Sequence, residues 1–467
     1  MSENQQARWW VVLLPVAVAA FLVNLDLTAL NVALPTIAEQ NHANLTDVSR
    51  LVLFYGLSLI GLGLVVGKMA DRFGYVRVLD IGFLLFGGSS LFCGFADSVW
   101  LLAVLRIIQG AGGSILYVMG PAVIARFVAP SHRGQSFGIL GFVAPAAACL
   151  GPSIGGFLTS YVGWEWIFFL NVPISLAGFL IARIAISGES NEASTEEGKG
   201  FDYAGVVLNL LFLTALVFGL QEGRESGWGT PLVVACLVGA PLFFISFVIQ
   251  ERRSRQPALD LSLFVDRSFS LGCIAMYLLL FIVGGIYFVL PFYLEQVLGL
   301  TPKSSGLVYM IAPIIVAVIS PVAGRLSDKY STRMLSLAGC FVFAVSQLLL
   351  FGFAENALLA VVCVGFVLMG IGEGLFFAPN MNLVMRSVPT GREGVASAVI
   401  STVRGVAQVI GLVVYEVICS AHHEAAGGQE TVTGMSPEVF ARVFFLGGIL
   451  AAAAMFVSAF VKEPKRV

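Results

Sequence analysis

Charge is scarce in this sequence: 12% of its 467 residues are Asp, Glu, Lys or Arg, against about 25% in an ordinary soluble domain. Polar stretches are short as well. The longest are 187–202, 251–267 and 421–436, which excludes a soluble catalytic domain. There are four histidines and seven cysteines; Cys93, Cys149, Cys236, Cys273, Cys340, Cys363 and Cys419 all fall in apolar runs without metal-ligand spacing. An odd number so placed reads as packing residues, not as a disulfide framework or a metal site. A phosphate-binding loop is missing too. "GLGLVVGK" (Gly61–Lys68) has one residue too many between its glycines, and Met69 follows where Ser or Thr is required. No ATPase, cofactor motif or nucleophile-and-base pair is encoded, so the chain is not expected to be an enzyme. Any work the chain does must therefore draw on a gradient, since no nucleotide site is encoded. No cofactor, metal or nucleic-acid partner is expected.

What the sequence has is apolar length. Hydrophobic residues make up 58% and the mean hydropathy is +0.91. Spanning a bilayer takes roughly 20 apolar residues per helix. Fourteen segments qualify, with cores at 9–33, 50–67, 78–96, 100–125, 136–159, 164–186, 203–221, 230–250, 269–293, 304–324, 334–353, 357–385, 393–420 and 438–461. If the N-terminus is cytoplasmic, nineteen of the 26 Lys and Arg fall on that side, including Lys68, Arg72, Arg77, Arg126, Arg133, Lys199, Arg255, Lys465 and Arg466. Four (Arg50, Arg224, Lys303 and Arg442) fall outside, and Arg106, Arg183 and Arg404 remain within segments. This bias follows the positive-inside rule and puts both termini in the cytoplasm. The first segment is too long for a signal peptide and contains an acid, so it is expected to stay uncleaved.

The chain also repeats itself. Gly67-Lys-Met-Ala-Asp71-Arg72-Phe-Gly74 after segment 2 matches Gly324-Arg-Leu-Ser-Asp328-Lys329-Tyr-Ser331 after segment 10, an offset of 257 residues. Nearly the same shift carries Leu34-Pro35 to Leu290-Pro291, Gly110 and Gly112 to Gly370 and Gly372, Pro121 to Pro379, and Arg126 to Arg386. Segments 1–6 therefore repeat as 9–14, and segments 7 and 8 look inserted. The expected organisation is an N-terminal six-helix bundle at 1–188, two inserted helices at 189–267 and a C-terminal six-helix bundle at 268–467. Two repeated bundles are the architecture of secondary transporters, with a site at the midplane and alternating access by rocking.

Local patterns sharpen this. In "GKMADRFGYVRVL" (Gly67–Leu79), Asp71 can cap a helix terminus, Arg72 and Arg77 can pair with acids or lipid phosphates, and Gly74 permits a tight turn. "LAVLRIIQGAGGSIL" (102–116) buries Arg106 in segment 4, with Gln109 close on the same face; an arginine there is costly unless paired or hydrated. In "ACLGPSIGGF" (148–157), Gly151, Gly155 and Gly156 form a small-residue surface and Pro152 favours a kink.

Together with "LDLTALNVALP" in segment 1, "WEWIFFLNVP" in segment 6 and "FDYAG" opening segment 7, these stretches resemble the fourteen-helix drug:H⁺ antiporters of the major facilitator superfamily. The resemblance spans essentially the whole chain and implies a multidrug efflux transporter of all-α, polytopic major facilitator fold. It also implies a latch role for the segment 2–3 loop, with Asp328 its counterpart in the second half, and a proton-transfer role for Arg106. It departs at Tyr75-Val76, where two basic residues often stand, and at Glu165, between two tryptophans, where Arg is common.

Buried charges supply candidates for coupling. At 1.5 Å per residue, Asp26 lies roughly 13 Å below Pro35 and Arg106 roughly 9 Å below Trp100, compatible depths in one bundle, so the two are expected to meet or share a hydrated cavity. Moving Arg106 away would let Asp26 take a proton, and ionised Asp26 would hold a cationic or polar substrate. The alternative is a static ion pair that locks the helices. Glu373 and Arg404 stand equally far from the loop between segments 12 and 13, which predicts a second pair at one level; Glu373 is the second candidate proton or cation acceptor. Glu416 and Glu295 lie nearer the external ends, and Asp80 reads as a helix-end residue. Asn31, Tyr55, Gln109, Tyr287, Phe288, Phe292 and Phe376 are candidate cavity residues, the aromatics as platforms for flat cationic drugs.

The leading expectation is a proton-coupled exporter of lipophilic, often cationic compounds, monomeric and surrounded by membrane lipid. A dedicated exporter of one metabolite or antibiotic is the alternative. A non-transporting sensor or scaffold is a reading of another class, against which the cost of intramembrane charge argues. The short loops and the lack of a presequence suit a bacterial inner membrane.

Overall fold

The computed structural model describes residues 9–43, 45–186, 202–254, 257, 259, 261–354, 358–425 and 437–463. Among these there is no strand. In lipid each backbone N–H and C=O must be satisfied within the segment, which leaves apolar runs of this length only the helix. The helices are α1 (Trp9–Gln40), α2 (Leu45–Gly61), α3 (Gly63–Phe73), α4 (Tyr75–Cys93), α5 (Val99–Phe127), α6 (Arg133–Tyr161), α7 (Glu165–Ile186), α8 (Tyr203–Ser226) and α9 (Pro231–Arg253). After a short 3₁₀ turn at Leu261–Val265 come α10 (Arg267–Phe292), a π turn (Tyr293–Val297), α11 (Pro302–Tyr309), α12 (Ile311–Lys329), α13 (Thr332–Phe353), α14 (Leu359–Arg386), α15 (Glu393–Ala425) and α16 (Pro437–Ala459).

Among the described residues thirteen helices are long and apolar enough to cross a membrane, and the second segment is a pair, α2 and α3, bent by 43°. Counted as one span, that pair brings the number to fourteen. Ends are marked by chemistry. Ser98, Asp202, Asp266, Thr301 and Ser331 cap α5, α8, α10, α11 and α13 through side-chain oxygens. Gly74, at φ +92°, makes the one-residue joint between α3 and α4. The expected boundary at 188/189, Phe201 of the segment 7 motif, most of loops 187–202 and 421–436, and Lys199, Arg255, Lys465 and Arg466 lie outside the described residues.

The chain forms two compact units: Met1–Ser136 with Val143–Leu263 and Val388–Thr402, and Phe137–Phe142 with Phe264–Ser387 and Val403–Val467. In the first, α5 packs on α1, α2 and α4, and α7 on α1 and α4. In the second, α14 packs on α10, α12 and α13, and α16 on α10 and α13.

The repeat is visible in close helix contacts. A Cβ on Gly110 would overlap Tyr55 and Ser58, and one on Gly370 would overlap Ala312 and Ile315. Likewise Gly112 abuts Phe86 and Gly372 abuts Phe343. Each pair lies 257 to 260 residues from its counterpart. The glycines thus occupy equivalent seams, α2–α5 and α4–α5 in one unit, α12–α14 and α13–α14 in the other.

Candidate functional site

Four helices of the first unit bring polar side chains to one point. Asp26 on α1 is fully buried, and Arg106 Nη1 on α5 lies 2.6 Å from its Oδ2. Its Oδ1 accepts from Gln109 Nε2 at 3.0 Å and from Asn171 Nδ2 of α7 at 2.8 Å. Gln109 also donates to Ser90 Oγ of α4 at 2.8 Å and accepts from Arg106 Nη1 at 2.8 Å. Arg106 Nε reaches the Leu51 carbonyl at 3.5 Å, and its guanidinium lies 4.0 Å from the Tyr55 ring centroid and 5.9 Å from that of Phe168. Such a ring face is favourable for a desolvated cation. Both carboxylate oxygens are therefore held, and the pair is neutral as a whole. Tyr55 Oη is buried without a hydrogen-bond partner.

Sequence reasoning named Asp26, Arg106, Gln109 and Tyr55 but missed Ser90 and Asn171. Asn171 carried a signal: it is the one amide in the apolar stretch Glu165–Ile186. Asp80, expected at a helix end, stands in the second turn of α4. It is 4% exposed, with Arg183 Nε 2.7 Å from Oδ2.

The second unit differs. Glu373 on α14 is 6% exposed and its Oε1 has no hydrogen-bond partner, while half-buried Arg404 is engaged by other groups. The expected Glu373–Arg404 pair is not formed. Equal depth fixes the level of two residues but not the faces on which they stand. Gly370 and Gly374 turn one side of α14 toward α12, and Gly372 and Phe376 turn another toward α13. Glu373 stands between them, seven residues from Asn380 and so nearly in line with it. Asn380 donates to the Gly272 carbonyl of α10 at 3.1 Å, so this line faces α10, whose Met276, Leu279, Leu280 and Val283 are buried and apolar.

The other candidates are scattered. Asn31 is exposed and donates to the Leu27 carbonyl at 3.2 Å. Half-buried Tyr287 pairs with Tyr309 at 5.1 Å, and Phe288 with Phe292 at 5.5 Å. Phe376 is fully buried in the α13–α14 seam, so it is a packing residue and lines no open surface. Glu295 is exposed on the π turn, and Glu416 is half-buried on α15.

At the segment 2–3 loop, Asp71 caps the start of α15. Its Oδ1 accepts from Gly394 N at 2.9 Å and its Oδ2 from Val395 N at 3.0 Å. Tyr75 Oη donates to Asp71 in a short hydrogen bond. Gly67 abuts Gly394 and Ala398 without room for a Cβ, and Arg126 lies 3.8 Å from Glu393. Arg72 lies over the Phe73 ring at 5.3 Å, and Arg77 is exposed. In the second unit Asp328 receives Arg386 and Asn382, each at 3.4 Å. Gly151 and Gly155 press α6 onto Thr28 and Ala29 of α1 with no space for a Cβ. A Cβ on Gly156 would sit 3.6 Å from Val32, and Pro152 is exposed.

The family model described as Major Facilitator Superfamily matches residues 16–412. The chain belongs to the Major Facilitator Superfamily. Among relatives, the riboflavin transporter RibZ of Clostridioides difficile is 30% identical over 402 residues, 86% of each chain. The multidrug resistance protein Stp of Mycobacterium tuberculosis (strain CDC 1551 / Oshkosh) is 30% identical over 410 residues, 88% of this chain and 75% of Stp. The proton:xylose symporter XylE, solved with 6-bromo-6-deoxy-D-glucose, has the same fold, with a TM-score of 0.67 at 16% identity over 98% of this chain and 96% of that one. As a facilitator, this chain is a multi-span membrane transporter and not an enzyme. Its Asp26 cluster is a polar site within a membrane-spanning bundle.

Proposed function

We propose that this facilitator is a proton-coupled antiporter that exports lipophilic, often cationic compounds across a bacterial inner membrane by alternating access. Both termini lie in the cytoplasm, and the monomer needs only the proton gradient. The observation that carries this reading is Glu373, whose Oε1 is buried without a partner. A carboxylate so placed costs several kcal/mol, so its charge is compensated by a proton or by a cation that replaces it. Asp26 differs, because Arg106, Gln109 and Asn171 already satisfy it. It takes part only when Arg106 moves away, which links its protonation to a conformational step. The Asp71 cap on α15 is the contact that breaks and re-forms in the cycle.

Respiring everted vesicles test this. Addition of ethidium or tetraphenylphosphonium should release protons from the lumen, and silence across a broad cation panel would refute the reading. A dedicated exporter of one metabolite is the second reading, favoured by the 30% identity to a relative named a riboflavin transporter. A response to riboflavin alone would select it.

A further inference from the structure

We infer that the inserted helices α8 and α9 set the bend of the second span, with Asn209 as the positioning residue. The bend lies at Leu62, between Gly61 at the end of α2 and Gly63 at the start of α3. A helix end leaves carbonyls without intrahelical donors, and inside a membrane no water replaces them. Asn209 on α8 supplies the donor: its Nδ2 lies 3.3 Å from the Gly61 carbonyl, and the side chain is 4% exposed. The neighbouring Leu210 covers Gly61 so closely that a Cβ there would sit 2.9 Å from Leu210 Cδ2. Below the bend, Lys68 Nζ of α3 donates to the Pro257 carbonyl, just beyond α9, at 2.6 Å. Both limbs of the bent span are therefore tied to the inserted segment.

The internal repeat provides a control. The 257-residue offset carries Gly61 and Leu62 to Val318 and Ile319. There α12 runs unbroken from Ile311 to Lys329, and Val318 is 59% exposed. A break at this position, and a bend of 43°, occur only in the copy to which an inserted helix brings an amide; among the described residues the other copy is interrupted elsewhere, at Met310 between α11 and α12, in a stretch that still counts as one span. Because α3 carries Gly67 and Asp71, the angle at Leu62 places the cap on α15. The inserted pair thereby positions the latch without touching substrate.

Hydrogen exchange on the full-length protein in lipid nanodiscs tests this without any substrate. Asn209→Leu and Asn209→Val keep a side chain of similar size but remove the donor, and both should speed amide exchange at residues 62–66 about tenfold, the equivalent of one hydrogen bond. Exchange elsewhere in α8 and α9 should stay as in the parent. Asn209→Gln, which keeps an amide donor, should restore most of the protection. In ethidium efflux the donor-less variants should lose maximal rate with an unchanged KM. Unchanged exchange at 62–66 in both variants would overturn the inference, and so would an increase spread evenly over α8, α9 and the rest of the unit, which would mark Asn209 as a packing residue.

Discussion

The two halves of the repeat keep the same glycine seams and opposite chemistry beside them. The seam contacts make Tyr55, Ser90, Arg106 and Gln109 of the first unit equivalent in the repeat to Ala312, Gln347, Phe366 and Met369 of the second. The shared Leu-Pro pair carries Asp26 to Ile282, and the shared Phe-Phe-Leu triplet before Asn171 carries that residue to Gly447. All of these positions are buried. One half holds an ion pair and its amides where the other holds hydrocarbon and a single amide, Gln347, whose two polar atoms have no partner. The acid of the second unit, Glu373, corresponds in the repeat to Gly113. Backbone packing is symmetric while charge is not: a hydrogen-bonded ion pair stands in one unit, and a buried carboxyl whose Oε1 has no hydrogen-bond partner stands in the other.

The most disruptive way to break this comparison is Arg106→Ala, which strands Asp26 and should cost about 3–5 kcal/mol, read as a lower unfolding midpoint in detergent. Installing the opposite half's residues, Asp26→Ile with Arg106→Phe, should leave stability near the parent's, because a packed apolar pair replaces a buried ionic one. Export should be lost all the same. Export that survived the swap would make the cluster a purely structural lock. Asn171→Ala removes one donor to Asp26 and should cost about 1.5–3 kcal/mol, slowing ethidium efflux without abolishing it.

Glycine substitutions come next. Gly151→Ala must displace Thr28 and should cost about 1–3 kcal/mol, whereas Gly156→Ala meets ordinary contact with Val32 and should stay within about 0.5 kcal/mol. Equal effects would mean that the α1–α6 seam is looser than its contacts indicate. The smallest expected change has the opposite sign. Gln347→Leu removes two unsatisfied buried atoms and should stabilise the protein by about 1 kcal/mol, with efflux unchanged.

Much of this was legible before any coordinates. Apolar length set the number of spans, and the repeated Gly-x-x-x-Asp pattern paired the halves. Asp26 and Arg106 could be matched because depth along a helix follows from residue count. What failed was azimuth: Glu373 and Arg404 share a depth, but α14 turns Glu373 toward α10. Rotation about a helix axis is fixed by neighbours, and the glycines that set it here could be read as seams only after their partners were known. The bend at Leu62 was equally hidden, since Asn209, whose amide reaches the Gly61 carbonyl beside it, lies 148 residues from that glycine.

The central claim is that Glu373 exchanges a proton for a cation. Its most direct test is proton release from the purified protein in unbuffered detergent solution on addition of tetraphenylphosphonium, compared between the parent and Glu373→Gln. The parent should release about one proton per bound cation and the variant none, with both folded to the same unfolding midpoint. Equal release from the variant would contradict the account and move the exchange elsewhere, with Asp26 the first place to look.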